Sequence, residues 1–179
     1  MASRFILALT LVTLSAATVA AQSGIEVGPQ IGFYRAQDAD HARGIGGVSM
    51  RFRFSDMFGI EGSINYREEI YGNGSVDVKS WPVMVTGLLY PIPVVYGAIG
   101  AGWYNSSIEY NYPPFTVSET KQEFGWHFGG GLELPLDAAT KLVGDIRYVF
   151  LNYNFKSFPG SNGMNSDFYV MSASLLFCL

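Results

Sequence analysis

Apolar and polar residues alternate with a period of two along most of the chain, the spacing of strands with one apolar and one polar face. Over residues 25–34, Ile25, Val27, Ile31 and Phe33 oppose Glu26, Gly28, Gln30 and Gly32. Over 45–54, Val48, Met50, Phe52 and Phe54 oppose Gly47, Ser49, Arg51 and Arg53, and over 58–67, Phe58, Ile60, Ile64 and Tyr66 oppose Gly59, Glu61, Ser63, Asn65 and Arg67. The cleanest pattern is 124–134, where Phe124, Trp126, Phe128, Leu132 and Leu134 alternate with Gly125, His127, Gly129, Gly131 and Glu133. Residues 141–150 set Leu142, Ile146, Tyr148 and Phe150 against Val143, Asp145, Arg147 and Val149. Residues 169–179 set Tyr169, Met171, Ala173, Leu175, Phe177 and Leu179 against Val170, Ser172, Ser174, Leu176 and Cys178. No stretch after residue 22 sustains a helical period.

Between these lies an uncharged stretch, 81–104, long enough to cross a bilayer as one helix. Pro91 and Pro93 stand at its centre, where a helix would lose hydrogen bonds and clash with its preceding turn. Gly97, Gly100 and Gly102 weaken its second half as a helix. Folded at the prolines it becomes two strands, with Trp81, Val83, Val85 and Leu89, then Val95, Ile99, Ala101 and Trp103, on one face. The sequence therefore predicts eight strands. Connections alternate in length: 55–57, 91–93 and 136–139 are short, whereas 36–44, 68–76, 105–122 and 152–167 are long and polar. Short turns on one rim and long loops on the other predict an all-β, eight-stranded antiparallel up-and-down transmembrane β-barrel.

A bilayer offers no partner for charge and none for an open sheet edge, so the barrel must close with its apolar face outward. Eight strands leave an interior just wide enough for side chains. Arg51, Arg53, Arg67, Lys79 and Arg147 are then expected inside with Glu26, Glu61, Glu133 and Asp145, a nearly balanced set. Buried charge must be paired, so these residues read as a self-neutralising lumen network rather than an ion path. Trp81, Trp103, Trp126, Tyr66, Tyr148 and Tyr169 fall toward the long-loop rim and Phe54, Phe58 and Phe177 toward the other, the placement of interfacial girdles. A three-residue turn pairing Phe54 with Phe58 would set Arg51 opposite Glu61, and pairing Tyr90 with Val94 would set Trp81 opposite Trp103.

Composition narrows the class. Charged residues make up 15% of the 179 residues, against about 25% in ordinary soluble domains. Net charge is −4 without a basic block, which argues against nucleic acid as a partner. Arg4, the apolar run 5–14 and Val19-Ala20-Ala21 predict a cleaved signal peptide over 1–21, leaving a barrel domain over 22–179. The single cysteine, Cys178, allows no internal disulfide.

Four passages resemble the small outer-membrane β-barrel domain family, the OmpA- and OmpX-like barrels: Trp81-Pro82-Val83, Tyr96 through Gly102, Phe124-Gly125-Trp126 through Gly131, and Asp145-Ile146-Arg147-Tyr148. The resemblance spans the mature chain. It implies residence in the outer membrane of a Gram-negative-type bacterium, contact with bilayer lipid and lipopolysaccharide, and a monomer. It also implies a last strand read by the barrel-assembly machinery. That strand ends Phe177-Cys178-Leu179, where the family's usual end is aromatic.

Catalytic and cofactor signals are weak. His127 is followed by Phe128 and Gly129, without the serine of a His-x-Ser arrangement, and His41 beside Asp38 and Asp40 lacks ordered metal-ligand spacing. The glycine clusters lie within strands with no helix to follow, so they are not phosphate loops. No catalytic, metal or cofactor residue is assigned. Tyr110, Tyr112 and Phe115 lie in the third long connection and are candidate contacts for a surface partner. The expected role is a non-enzymatic integral barrel with a filled, charge-paired lumen, serving envelope integrity or surface interaction through its loops. Two alternatives stay open: a lipid-modifying barrel enzyme, and a secreted lipocalin-like barrel with an apolar lumen.

Overall fold

The structure, a computed structural model, describes residues 24–36, 42–71, 76–112, 115–151 and 167–179. The predicted signal peptide and His41 lie outside the described residues. Eight strands follow in order: β1 (Gly24–Ala36), β2 (Arg43–Arg53), β3 (Phe58–Tyr71), β4 (Val76–Ile92), β5 (Val95–Tyr112), β6 (Phe115–Pro135), β7 (Thr140–Leu151) and β8 (Phe168–Cys178). Each pairs with its neighbour in sequence, and β1 pairs antiparallel with β8 to close the barrel. Closure leaves no unpaired edge within the hydrocarbon, as lipid requires.

The facing follows the alternation. Ile31, Phe33, Ile99 and Trp126 are among the most exposed large apolar side chains, whereas Glu61, Arg147 and His127 are buried at 1–2% exposure. An apolar exterior around a charged interior removes the ligand-holding, lipocalin-like alternative, which needs the reverse. Two apolar clusters fill the lumen toward its ends. Tyr34, Met84, Tyr104, Val149, Leu151, Phe168 and Val170 pack near the long-connection rim. Leu88, Tyr90, Tyr96, Ala98, Val143 and Leu176 pack near the short turns.

Two expectations about the strands change. The β4–β5 register sets Trp81 against Asn105 and Val83 against Trp103, two residues away from the Trp81–Trp103 pairing. The cause is local: β4 runs through Pro91 to Ile92, which pairs with Val95, and the register shifts between Leu89 and Ile92. A shift of two preserves facing, so Trp81 and Trp103 both remain outward and exposed. The third long connection is also mostly strand, since β5 and β6 continue as a ladder to a Tyr112–Phe115 pair. Likewise β3 and β4 reach a Tyr71–Val76 pair. Beyond the bilayer both faces of a hairpin meet water, so the alternation that marks a strand in lipid is absent there.

Candidate functional site: the charged lumen

The inward positions of β2, β3, β6 and β7 converge on one buried network. Register places Arg51 of β2 directly opposite Glu61 of β3, and Arg51 Nε lies 2.6 Å from Glu61 Oε2. The other Glu61 oxygen is 2.6 Å from Arg147 Nη2, so one carboxylate bridges two guanidinium groups. Arg51 reaches Glu133 with Nη1 at 3.2 Å and donates from Nη2 to the Tyr96 hydroxyl at 2.7 Å. Tyr96 in turn donates to Asp145 at 3.0 Å. Asp145 also receives Arg147 and, on its other oxygen, the Ser172 hydroxyl at 2.9 Å.

Glu133 ties this middle layer to the short-turn end. It accepts from Tyr90 at 2.8 Å, and pairs with Arg53 at 3.2 Å and with Lys141 at 2.9 Å. Lys141 also pairs with Glu26. The Arg53 guanidinium stacks on Tyr90, 3.7 Å from its ring centroid, and that of Arg51 on Tyr96 at 4.5 Å. Four cations (Arg51, Arg53, Lys141, Arg147) thus meet four carboxylates (Glu26, Glu61, Glu133, Asp145). Such a set is tolerable in a low-dielectric interior because each charge has an opposite partner and most have added hydrogen bonds.

Glycine makes room for these long side chains. A Cβ on Gly100 would stand 2.6 Å from His127 Nε2, and one on Gly131 would stand 2.5 Å from the Tyr96 hydroxyl. His127 belongs to the lumen: its Nε2 lies 2.8 Å from Thr86 Oγ1, which accepts from Arg147 Nη1 at 3.1 Å. Neither Ser nor Asp is among the hydrogen-bond partners found for its ring.

Of the residues expected in the network, Glu26, Arg51, Arg53, Glu61, Glu133, Asp145 and Arg147 lie together. Arg67 is inward but higher, its guanidinium 4.2 Å above the Tyr34 ring and 5.6 Å from that of Phe168. Lys79 is not a lumen residue. It shares the parity of Trp81, alternates with buried Ser80, and stands 4.0 Å from Glu68 near the outer rim. Lys141 holds the place the sequence reading gave to Lys79. Its parity with Asp145 and Arg147 was the available signal. Tyr90, Tyr96 and Thr86 went unassigned because the alternation of the β4–β5 hairpin is poor, although their parity opposes Leu89, Val95 and Val85. Tyr110, Tyr112 and Phe115 sit on the extended β5–β6 ladder, and their side chains lie outside the described residues.

Similar structures reinforce the fold. A major outer membrane protein from Thermus thermophilus superposes with a TM-score of 0.63 at 14% identity, covering 88% of this chain and 100% of that one. Neisserial surface protein A gives 0.59 at 11% identity, covering 87% and 96%. Ail of Yersinia pestis, solved in complex with the heparin analogue sucrose octasulfate, gives 0.51 at 18% identity, covering 87% and 96%. No curated protein matches the chain in sequence. The family model for the outer membrane protein beta-barrel domain matches residues 5–177. With a closed eight-stranded wall, an apolar exterior and that match across nearly its whole length, the chain belongs to the outer membrane protein beta-barrel domain family and resides in the outer membrane.

Proposed function

We propose that this barrel is a non-enzymatic, solute-tight protein of the outer membrane that supports envelope integrity and presents its outer hairpins to surface partners. The observation that carries this reading is the Glu61 bridge. Arg51 and Arg147 reach the same carboxylate from β2 and β7 at 2.6 Å each, so the network spans the lumen from wall to wall. Apolar clusters above and below thicken the plug. The non-enzymatic part rests on His127, which is 1% exposed and turned away from the lipid a membrane enzyme would act on. The barrel works as a monomer in contact with lipopolysaccharide, and its last strand is the part read by the barrel-assembly machinery.

Planar-bilayer recording tests the plug. Purified protein should give no steady conductance, and a porin-like level would overturn the reading. For the second part, a deletion strain complemented with the His127→Ala variant should show an unchanged lipid A profile and wild-type envelope permeability. A changed lipid A profile would assign the barrel to lipid modification.

A further inference from the structure

Polar atoms without partners gather in the outer half of the lumen. Among the described residues, seven buried side-chain atoms have no hydrogen-bond partner. One of them, Arg53 Nη2, keeps its ion pair with Glu133 at 3.2 Å. The others are Tyr34 Oη, Gln30 Oε1, Ser49 Oγ, Ser63 Oγ, Asn65 Oδ1 and His127 Nδ1, on residues at 6% exposure or less. Ser49 and Ser63 are register partners one inward row beyond Arg51 and Glu61, toward the long-connection rim. Gln30, Gly47 and Asn65 form the next row. His127 stands one inward position beyond Gly129, the register partner of Arg147. Tyr34 is higher still on β1, within the apolar cluster of that rim.

These rows are built from small residues. Arg51 and Glu61 fill the lumen below, whereas Gly28, Ser49 and Ser63 stand side by side above them. Asn65 Oδ1 leans over Gly47, where a Cβ would lie 2.6 Å from it. Tyr34 and Asn65 line a cavity of about 20 Å³ together with Ile45, Met84 and Tyr104. A water molecule needs about 10–15 Å³ of such space, so one fits beside these two atoms.

The six atoms suit a ligand that both donates and accepts. Gln30 Oε1 and Asn65 Oδ1 only accept, whereas the three hydroxyls can also donate. Ser49 and Ser63 do not bond each other although they are register partners. No carboxylate is among the six, and the Arg147 guanidinium stands beside them, donating to Thr86 at 3.1 Å, with Thr86 2.8 Å from His127. That disfavours a cation. The guanidinium groups of Arg51 and Arg147 already face Glu61, which disfavours an anion. We infer that the outer half of the lumen binds a layer of internal water, one molecule at Tyr34 and Asn65 and others on Ser49, Ser63, Gln30 and His127. The Arg51–Glu61–Arg147 bridge closes the layer below. The rings of Tyr34, Phe168 and Tyr104 close it above, with successive centroids 6.0 and 5.8 Å apart. The water wets the plug from within and leaves it shut.

A high-resolution crystal structure of the full chain tests this, paired with two substitutions. Ordered water should stand within hydrogen-bond distance of Tyr34 Oη and Asn65 Oδ1, and of the Ser49 and Ser63 hydroxyls. A dry lumen would overturn the inference, as would side chains turned to pair with one another. Density with the several short oxygen contacts of a metal ion would give the site to a cation and overturn it too. Ser49→Ala and Ser63→Ala supply a sign. Loss of a hydroxyl that holds water should lower the urea midpoint, whereas loss of one that holds nothing should raise it. Heat-modifiable migration on gels verifies that each variant folds. A raised midpoint in both folded variants would overturn the inference independently of the crystal.

Discussion

Glu61 and Arg147 lie on β3 and β7, 86 residues apart in sequence, yet they touch across the lumen at 2.6 Å with both side chains at 3% exposure or less. Glu61 also holds Arg51, so both its oxygens are engaged by guanidinium groups. Removing the carboxylate strands buried cations, a loss that costs about 3–5 kcal/mol where such pairs are broken. Glu61→Ala should therefore lower the urea midpoint of barrels reconstituted in vesicles by that order of free energy. A change below about 1 kcal/mol would mean that water already screens the network.

A methyl group has no room at Gly100, where a Cβ would lie 2.2 Å from the Val85 carbonyl oxygen and 2.8 Å from Thr86 Cα. Those are backbone atoms, so the strands must part to admit it. Gly100→Val should cost at least the roughly 1–3 kcal/mol typical of overpacking, read as a lower melting temperature in heat-modifiability gels. Gly62→Ala, with no atom in reach of its Cβ, should migrate and melt as the wild type does.

Depth in the bilayer sets the cost of an outward charge. Ile99 lies on β5 midway between Val95 at the short-turn end and Trp103 of the outer girdle, at 70% exposure, in the hydrocarbon band. Phe54 lies at the β2–β3 turn, beside the short-turn interface. Ile99→Arg should destabilise the folded barrel by about 2–4 kcal/mol and Phe54→Arg by about 0–1 kcal/mol, measured by equilibrium unfolding from phospholipid vesicles. Equal costs would contradict the assigned membrane level.

The β6–β7 turn titrates. Asp137 Oδ1 accepts the Ala139 N–H at 2.7 Å, and that bond holds its carboxyl below the usual value. A lowered folded value means that the stabilisation is present above the unfolded carboxylate range and is lost as pH falls through the lowered value. Asp137→Ala should thus be slightly less stable than the wild type at neutral pH, and the two unfolding curves should merge in strong acid. A gap that persists in strong acid would assign the effect to turn geometry rather than charge.

The barrel and its facing were legible because lipid enforces alternation on most of the strands it touches; Ile25 through Phe33 and Phe124 through Leu134 read unambiguously. The Arg51–Glu61 register was legible too, because the turn at 55–57 is short and flanked by clear patterns. The β4–β5 register was not, since Pro91 looks like a turn residue yet lies within the strand, leaving Pro93 and Val94 to turn. Lys79 was misfaced for a related reason: near the outer rim polar residues occupy both parities, and charge no longer marks the inside. The parts of the lumen site that went unread, Tyr90 and Tyr96, lie on the hairpin whose alternation is poorest, and their hydroxyls serve Glu133 and Asp145.

The seam between β1 and β8 joins the first and last strands, from Glu26 beside Cys178 to Ala36 beside Phe168. No half-made version of this wall is viable in oil, because every intermediate short of the eighth strand exposes two rows of bare amides and carbonyls. Insertion into the bilayer therefore requires the eighth strand. A premature stop that trims only β8 should be as damaging in a cell as loss of the whole gene.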